Sequence, residues 1–281
     1  MHLRCRTRVL ALEAPVVMGV LNVTPDSFSD GGRYREPGAA LAAARAMVAA
    51  GARLIDVGGE STRPGATAPA LAEELARIVP VVRAIASELD VIVSVDTSRA
   101  AVMEAAVAEG ASFINDVRGF TAPGTLATAA RLGVGMCVMH MQGEPATMQN
   151  APAYTDVVGE VRDWLVARIA ACRAAGVADD SIVVDPGFGF GKTSEHNLKL
   201  LAALDGFTRL GVPLLVGLSR KSLAGALTGR PVLERLAGSV ALAALGAEHG
   251  ASIVRAHDVA ATVDAIAIGA ALRRAQQGVR G

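Results

Sequence analysis

The sequence predicts an α/β fold, a single (β/α)8 TIM barrel over residues 1–281 with its site at the C-terminal ends of the strands. Three observations carry this expectation. Eight short apolar runs alternate with amphipathic or Ala-rich stretches, and no change of composition divides them. A Gly recurs between a helical stretch and the next strand, at Gly51, Gly110, Gly133, Gly176, Gly211 and Gly250, where a helix C′ residue turns left-handed. Unusual polar residues gather at the strand-to-helix joints, whereas the helix-to-strand joints are short and plain.

The first strand is residues 16–21, continuously apolar and rich in β-branched side chains, as burial on both faces requires. Eleven mostly polar residues follow, Asn22-Val23-Thr24-Pro25-Asp26-Ser27-Phe28-Ser29-Asp30-Gly31-Gly32, in which Pro25 and the Gly pair argue against regular structure. A helix near 39–50 leads to a strand at 54–57 and a second long loop, Gly58-Gly59-Glu60-Ser61-Thr62-Arg63-Pro64-Gly65. A longer helix at about 69–87 precedes the strand at 91–95, and helix 99–109 precedes strand 113–115. Helices 124–132, 155–175, 194–204 and 233–249 lead into strands 136–139, 182–184, 214–216 and 253–254. Helix 258–274 ends the cycle.

In order, the strand ends present Asn22, Gly59-Glu60, Asp96, Asn115-Asp116, His140, Asp185, Ser219-Arg220-Lys221, and Arg255 with His257. One Asp or Asn after a strand is an ordinary N-cap. A polar end on every strand of one rim is more than capping requires, and that rim is where barrels of this kind carry their sites.

Composition narrows the function. Hydrophobic residues make up 52% and aromatics 3%, so Ala, Val, Leu and Ile must build the core. The 27 basic and 27 acidic residues cancel and form no basic block, which excludes a nucleic-acid or membrane-surface partner by charge and leaves a small molecule. Three scattered cysteines, Cys5, Cys137 and Cys172, have no metal-ligand spacing and fit a reducing, cytoplasmic setting without disulfides. The basic start, residues 1–8, does not read as a convincing signal peptide, and the longest apolar run, 236–247, is too short to span a bilayer. The lysines are Lys192, Lys199 and Lys221, and each invites a search for a point-charge role.

Asp185-Pro186-Gly187-Phe188-Gly189-Phe190-Gly191-Lys192-Thr193 is no Walker A loop, because Pro186 stands where its first Gly belongs. Its glycines are expected to let the backbone and Phe190 approach a flat ligand. Ser219-Arg220-Lys221-Ser222 opens a helix, so its free N–H groups, with Lys221 and Ser222, suit a carboxylate or phosphate. Asp96, Asn115 and Asp185 thus face Lys221, Arg255 and His257 across one rim. That pairing suits a donor-rich heterocycle at one end of a ligand and a phosphate at the other.

In residues 22–32, 58–65, 94–97, 115–117, 185–192, 217–221 and 255–259 the sequence resembles the bacterial dihydropteroate synthases, of the pterin-binding enzyme family, nearly end to end and in order. The resemblance implies a sulfonamide-targeted transferase of folate biosynthesis. It would join 6-hydroxymethyl-7,8-dihydropterin diphosphate to 4-aminobenzoate, giving 7,8-dihydropteroate and pyrophosphate by dissociative loss of pyrophosphate. Asp96, Asn115, Asp185 and Lys221 would hydrogen-bond the pterin, with Arg255 stacked on its ring. Asn22 would be the protein ligand of Mg²⁺, and Thr62, Arg63, Ser219 and His257 would hold the anion. Aminobenzoate would lie between Pro64, Phe190 and Lys221 with its carboxylate at Ser222. The catalytic set so implied is Asp96, Asp185, Lys221, Arg255 and His257, in a homodimer. Two rivals are a Schiff-base aldolase barrel using Lys221, disfavoured because no apolar surround for it is evident, and a methyltetrahydrofolate:corrinoid methyltransferase-type barrel.

Overall fold

The chain begins with an antiparallel hairpin, β1 (His2–Cys5) and β2 (Arg8–Ala11), joined through Arg6 in a left-handed conformation. The structure, a computed structural model, describes residues 1–24, 37–60 and 68–279. The hairpin is not part of the sequence-based expectation, which treats the N-terminus as a short basic stretch. Its burial alternates as a strand's does, with Leu3, Cys5 and Leu10 inside and His2, Arg4 and Arg8 outside. Asp180 anchors it, accepting from Arg4 at 2.7 Å and 3.0 Å.

Eight parallel strands make the barrel: β3 (Val16–Asn22), β4 (Ala52–Gly58), β5 (Ile92–Asp96), β6 (Phe113–Asp116), β7 (Gly135–Met139), β8 (Ile182–Asp185), β9 (Leu215–Gly217) and β10 (Ile253–Ala256). Their order is β8-β7-β6-β5-β4-β3-β10-β9. An isolated parallel bridge, Val184 to Leu214, with Val184 N–H donating to the Pro213 carbonyl at 3.0 Å, joins the two ends. Around this sheet lie α1 (Pro37–Ala49), α2 (Leu71–Glu88), α3 (Ala100–Ala108), α4 (Thr125–Leu132), α5 (Val157–Ala174), α6 (Ser194–Ala202), α7 (Leu204–Phe207), α8 (Ser222–Thr228), α9 (Leu236–Glu248) and α10 (Val259–Val279). All eight expected strands are present. The expected helix 194–204 is two helices, α6 and α7, and α8 and α9 both lie between β9 and β10. The six recurrent glycines all have positive φ, as helix stops of that kind require.

The barrel interior changes character in one step along the strands. Met18, Leu54, Ile92, Phe113, Cys137, Val183, Leu215 and Ile253, one from each strand, pack with Leu3, Cys5, Leu10 and Leu12 of the hairpin segment into an apolar layer that closes the bottom. Two residues further on, where period-2 alternation returns to the same face, stand Asp56, Ser94, Asn115, Asp185 and Arg255. A second apolar cluster, including Val57, Ile78, Val95, Ile114 and Leu165, fills the space between strands and helices. No helix among the described residues is long and apolar enough to cross a membrane.

Candidate active site

Burial of that polar layer is tolerable because its members satisfy one another. Asp56, fully buried on β4, accepts from Ser94 Oγ at 2.5 Å, Asn115 Nδ2 at 3.0 Å and Arg255 Nε at 2.6 Å. Arg255 also donates through Nη2 to Asp96 Oδ2 at 2.8 Å, so one guanidinium is shared by two carboxylates. Burial and the neighbouring Asp56 push the Asp96 carboxyl well above the ordinary range, against the pull of Arg255. Asp185 is 4% exposed and accepts from the Gly187 N–H at 2.7 Å; burial raises it, with Lys221 opposing.

Lys221 Nζ donates to the Phe188 carbonyl at 2.5 Å and lies 4.6 Å from the centre of the Phe190 ring. Burial lowers its pKa to about 8, Asp185 opposing and Arg255 reinforcing the shift. The expectation that Lys221 lacks an apolar surround is therefore corrected, because Phe190 covers it. Its backbone is held in a turn where Arg220 is left-handed, with φ 57°. Arg220 N–H donates to Ser239 Oγ at 2.9 Å, its side chain grips Asp258 through two bonds, and Arg235 donates to the Arg220 carbonyl at 3.1 Å. Ser219 Oγ and His257 Nδ1 stand 3.1 Å apart, and the exposed Ser222 opens α8. The structure thus brings Asp96, Asn115, Asp185, Phe190, Ser219, Lys221, Ser222, Arg255 and His257 to one rim. Thr62, Arg63 and Pro64, and Phe28 of the first loop, lie outside the described residues.

Four rim residues have structural work instead. Asp116 accepts from Ser98, the Arg118 N–H and the Phe120 N–H, closing the turn after β6. His140 is turned onto Trp164, ring centres 5.1 Å apart, and onto Lys192 at 3.0 Å. Gly187 and Gly191 do not make room for a ligand: a Cβ at either would overlap the His140 or Gln142 carbonyl oxygen. Of this loop's three glycines Gly189 is the one that faces the site, where its Cβ would lie 3.4 Å from Lys221 Cδ. Asp56 is the residue that sequence reasoning missed, although a lone carboxylate inside Leu54-Ile55-Asp56-Val57 was a visible signal.

Among the described residues no three His, Cys, Asp or Glu side chains gather as a dedicated metal cage. Asn22, at the end of β3, faces Gly58, where an added Cβ would lie 3.4 Å from Asn22 Oδ1 and 3.9 Å from Asp96 Oδ2. Hard oxygen donors, few in number, fit a magnesium ion that a diphosphate substrate and water would otherwise coordinate.

Fold and rim define a barrel of the kind that carries enzyme sites, with carboxylates set beside a cationic edge at the C-terminal ends of its strands. The sequence matches the family described as "Pterin binding enzyme" over residues 18–257. It is 50% identical over 271 residues to the dihydropteroate synthase of Escherichia coli (strain K12), with 96% of each chain covered. The dihydropteroate synthase of Yersinia pestis, solved with a sulfonamide drug, superposes with a TM-score of 0.94 at 50% identity, covering 98% of this chain and 100% of that one. That of Xanthomonas albilineans in complex with 7,8-dihydropteroate superposes with a TM-score of 0.87 at 46% identity, covering 97% and 99%. The chain belongs to the dihydropteroate synthases, transferases within the pterin-binding enzyme family.

Proposed function

We propose that the site condenses 6-hydroxymethyl-7,8-dihydropterin diphosphate with 4-aminobenzoate, giving 7,8-dihydropteroate and pyrophosphate. The observation that carries the residue assignment is the acidic floor of buried Asp56 and Asp185 and half-buried Asp96, with buried Asn115, set against Arg255 and Lys221. Asp96, Asn115, Asp185 and Lys221 take the pterin edges, and Arg255 covers its ring. The carboxylates supply acceptors that the ring's N–H groups would satisfy, which favours the charged form of Asp96 against the burial that raises it.

The C–O bond to the diphosphate breaks first and leaves a pterin-methylene cation, stabilised by Asp96 and Asp185. Arg255, His257 and Ser219, with Thr62 and Arg63, take the departing pyrophosphate. Asn22 would hold a magnesium ion, which would supply further charge neutralisation there. Aminobenzoate, between Pro64, Phe190 and Lys221 with its carboxylate toward Ser222, attacks through a neutral amine, so no base of unusual pKa is needed. The three cysteines, buried and free, fit a cytoplasmic protein. The exposed Leu245, Ile268 and Leu272 of α9 and α10 offer a face for a homodimer.

Pyrophosphate release is the test, with both substrates together and each alone. Release that needs both supports the reading, whereas equal release without aminobenzoate overturns it. Borohydride added with a carbonyl substrate should trap nothing on Lys221; a reduced imine would favour the aldolase chemistry.

A further inference from the structure

We infer that Lys192 is a positioning residue, whose buried ammonium locks the wall built by the loops after β7 and β8 and thereby fixes Phe190 and the Phe188 carbonyl beside Lys221. The inference rests on the aminobenzoate pocket proposed above. Lys192 is 3% exposed, yet among the described residues no carboxylate bonds it. Its Nζ instead meets the Gly187 carbonyl at 2.9 Å, the Phe190 carbonyl at 3.0 Å, the His140 carbonyl at 3.4 Å and His140 Nδ1 at 3.0 Å. These acceptors come from both loops, and an ammonium has three N–H groups, so none remains for a ligand.

The need for such a group follows from the glycines. Gly187 and Gly191 let the two loops touch backbone to backbone, against the carbonyls of His140 and Gln142, and that contact turns carbonyl oxygens into a space closed to water. Buried carbonyls without donors are costly, and Lys192 supplies donors to several at once. The remaining polar groups of the loop are fixed separately: Tyr154 donates to the Gly191 carbonyl at 2.9 Å, and Asn197 accepts from the Gly189 N–H at 2.8 Å. Burial lowers Lys192 to about 7 and, with Lys192, lowers His140 to about 3. The contact survives either state of the lysine, since Nδ1 accepts from the ammonium and can donate to the neutral amine.

The test is steady-state kinetics on Lys192→Met. The aminobenzoate KM should rise by about tenfold or more, with kcat and the pterin diphosphate KM within about threefold of wild type. Emission from Trp164, the chain's one tryptophan, packed against His140, should shift in the folded variant. Phe190→Ala alone should also raise the aminobenzoate KM, and adding Lys192→Met to it should change that KM by less than about twofold. Tyr154→Phe removes one bond from the same wall and should move the same constant by about two- to fivefold, which keeps the test decisive if Lys192→Met does not fold. An unchanged aminobenzoate KM in the folded variants, or effects of Lys192 and Phe190 that multiply independently, would overturn the inference. If wild type turns over both substrates and the variants match it, this inference fails alone. If wild type shows no turnover, both readings fall.

Discussion

Arg255 Nε donates to Asp56 Oδ2 at 2.6 Å across 199 residues of chain, joining the last barrel strand to the second. Asp56 is at once the acceptor for Ser94 and Asn115, so a single buried carboxylate sets the direction of three side chains from three other strands. The guanidinium that meets the proposed diphosphate is therefore aimed from beneath.

Replacing Asp56 with Ala should leave three buried donors facing a void and cost about 3–5 kcal/mol of stability, the range for breaking a buried pair on one side. Asp56→Asn, which keeps one acceptor, should cost less. Urea unfolding measures both, and a wild-type midpoint for Asp56→Ala would show that Arg255 is held by other means.

Asp185 separates binding from stability. Burial raises its pKa above the ordinary 3.8, so between that value and the raised one the folded state holds more protons than the unfolded. Stability contributed by this group falls as pH rises through that window, and at neutral pH its charge opposes folding. Asp185→Asn should accordingly melt no lower than wild type at pH 7, while pterin affinity drops by about 1.5–3 kcal/mol. Calorimetry and thermal melts on one preparation decide; lowered melting with intact pterin affinity would contradict both halves.

Lys221 works in the opposite sense. Burial lowers it from 10.5 to about 8, so the folded state holds fewer protons in that interval and stability rises with pH across it. Activity moves the other way, because the ammonium that faces substrate is lost: kcat/KM for the pterin diphosphate should decline above pH about 8. Lys221→Arg should displace that alkaline limb upward, whatever its effect on the plateau. An unmoved limb would assign it to another group.

Asn22→Ala should weaken magnesium-dependent pyrophosphate binding and leave metal-free binding unchanged. Titration with and without the metal reads this directly. Equal losses in both would place Asn22 on the anion rather than on the metal.

Much of this was legible in the sequence because the signals are local. Strand runs, helix-stopping glycines and polar strand ends each occupy a few neighbouring residues, and β3 to β10 lie where those patterns put them. Asp56 escaped notice because its meaning is not local: an aspartate in an apolar run becomes intelligible only when Arg255 and Asn115 arrive beside it. The hairpin was missed for the same reason, since Leu3 and Cys5 alternate over too few residues to announce a strand until the barrel floor receives them. Lys192 and Lys221 are alike on paper, both glycine-flanked or near a loop, and only packing separates the one held by its own loop from the one presented at the rim.

The barrel's closure between β8 and β9 is its thinnest pairing. β9 has three residues, and a lone bridge at Val184 and Leu214 does what continuous ladders do elsewhere. Sub-global opening should therefore begin at this seam, so hydrogen exchange at Val184 and Leu215 should outpace exchange in β4 and β5. The seam separates the strand that ends in Asp185 from the one that leads to Lys221. Each opening would part the acidic wall from the basic turn, and a ligand bridging them would slow exchange along both strands.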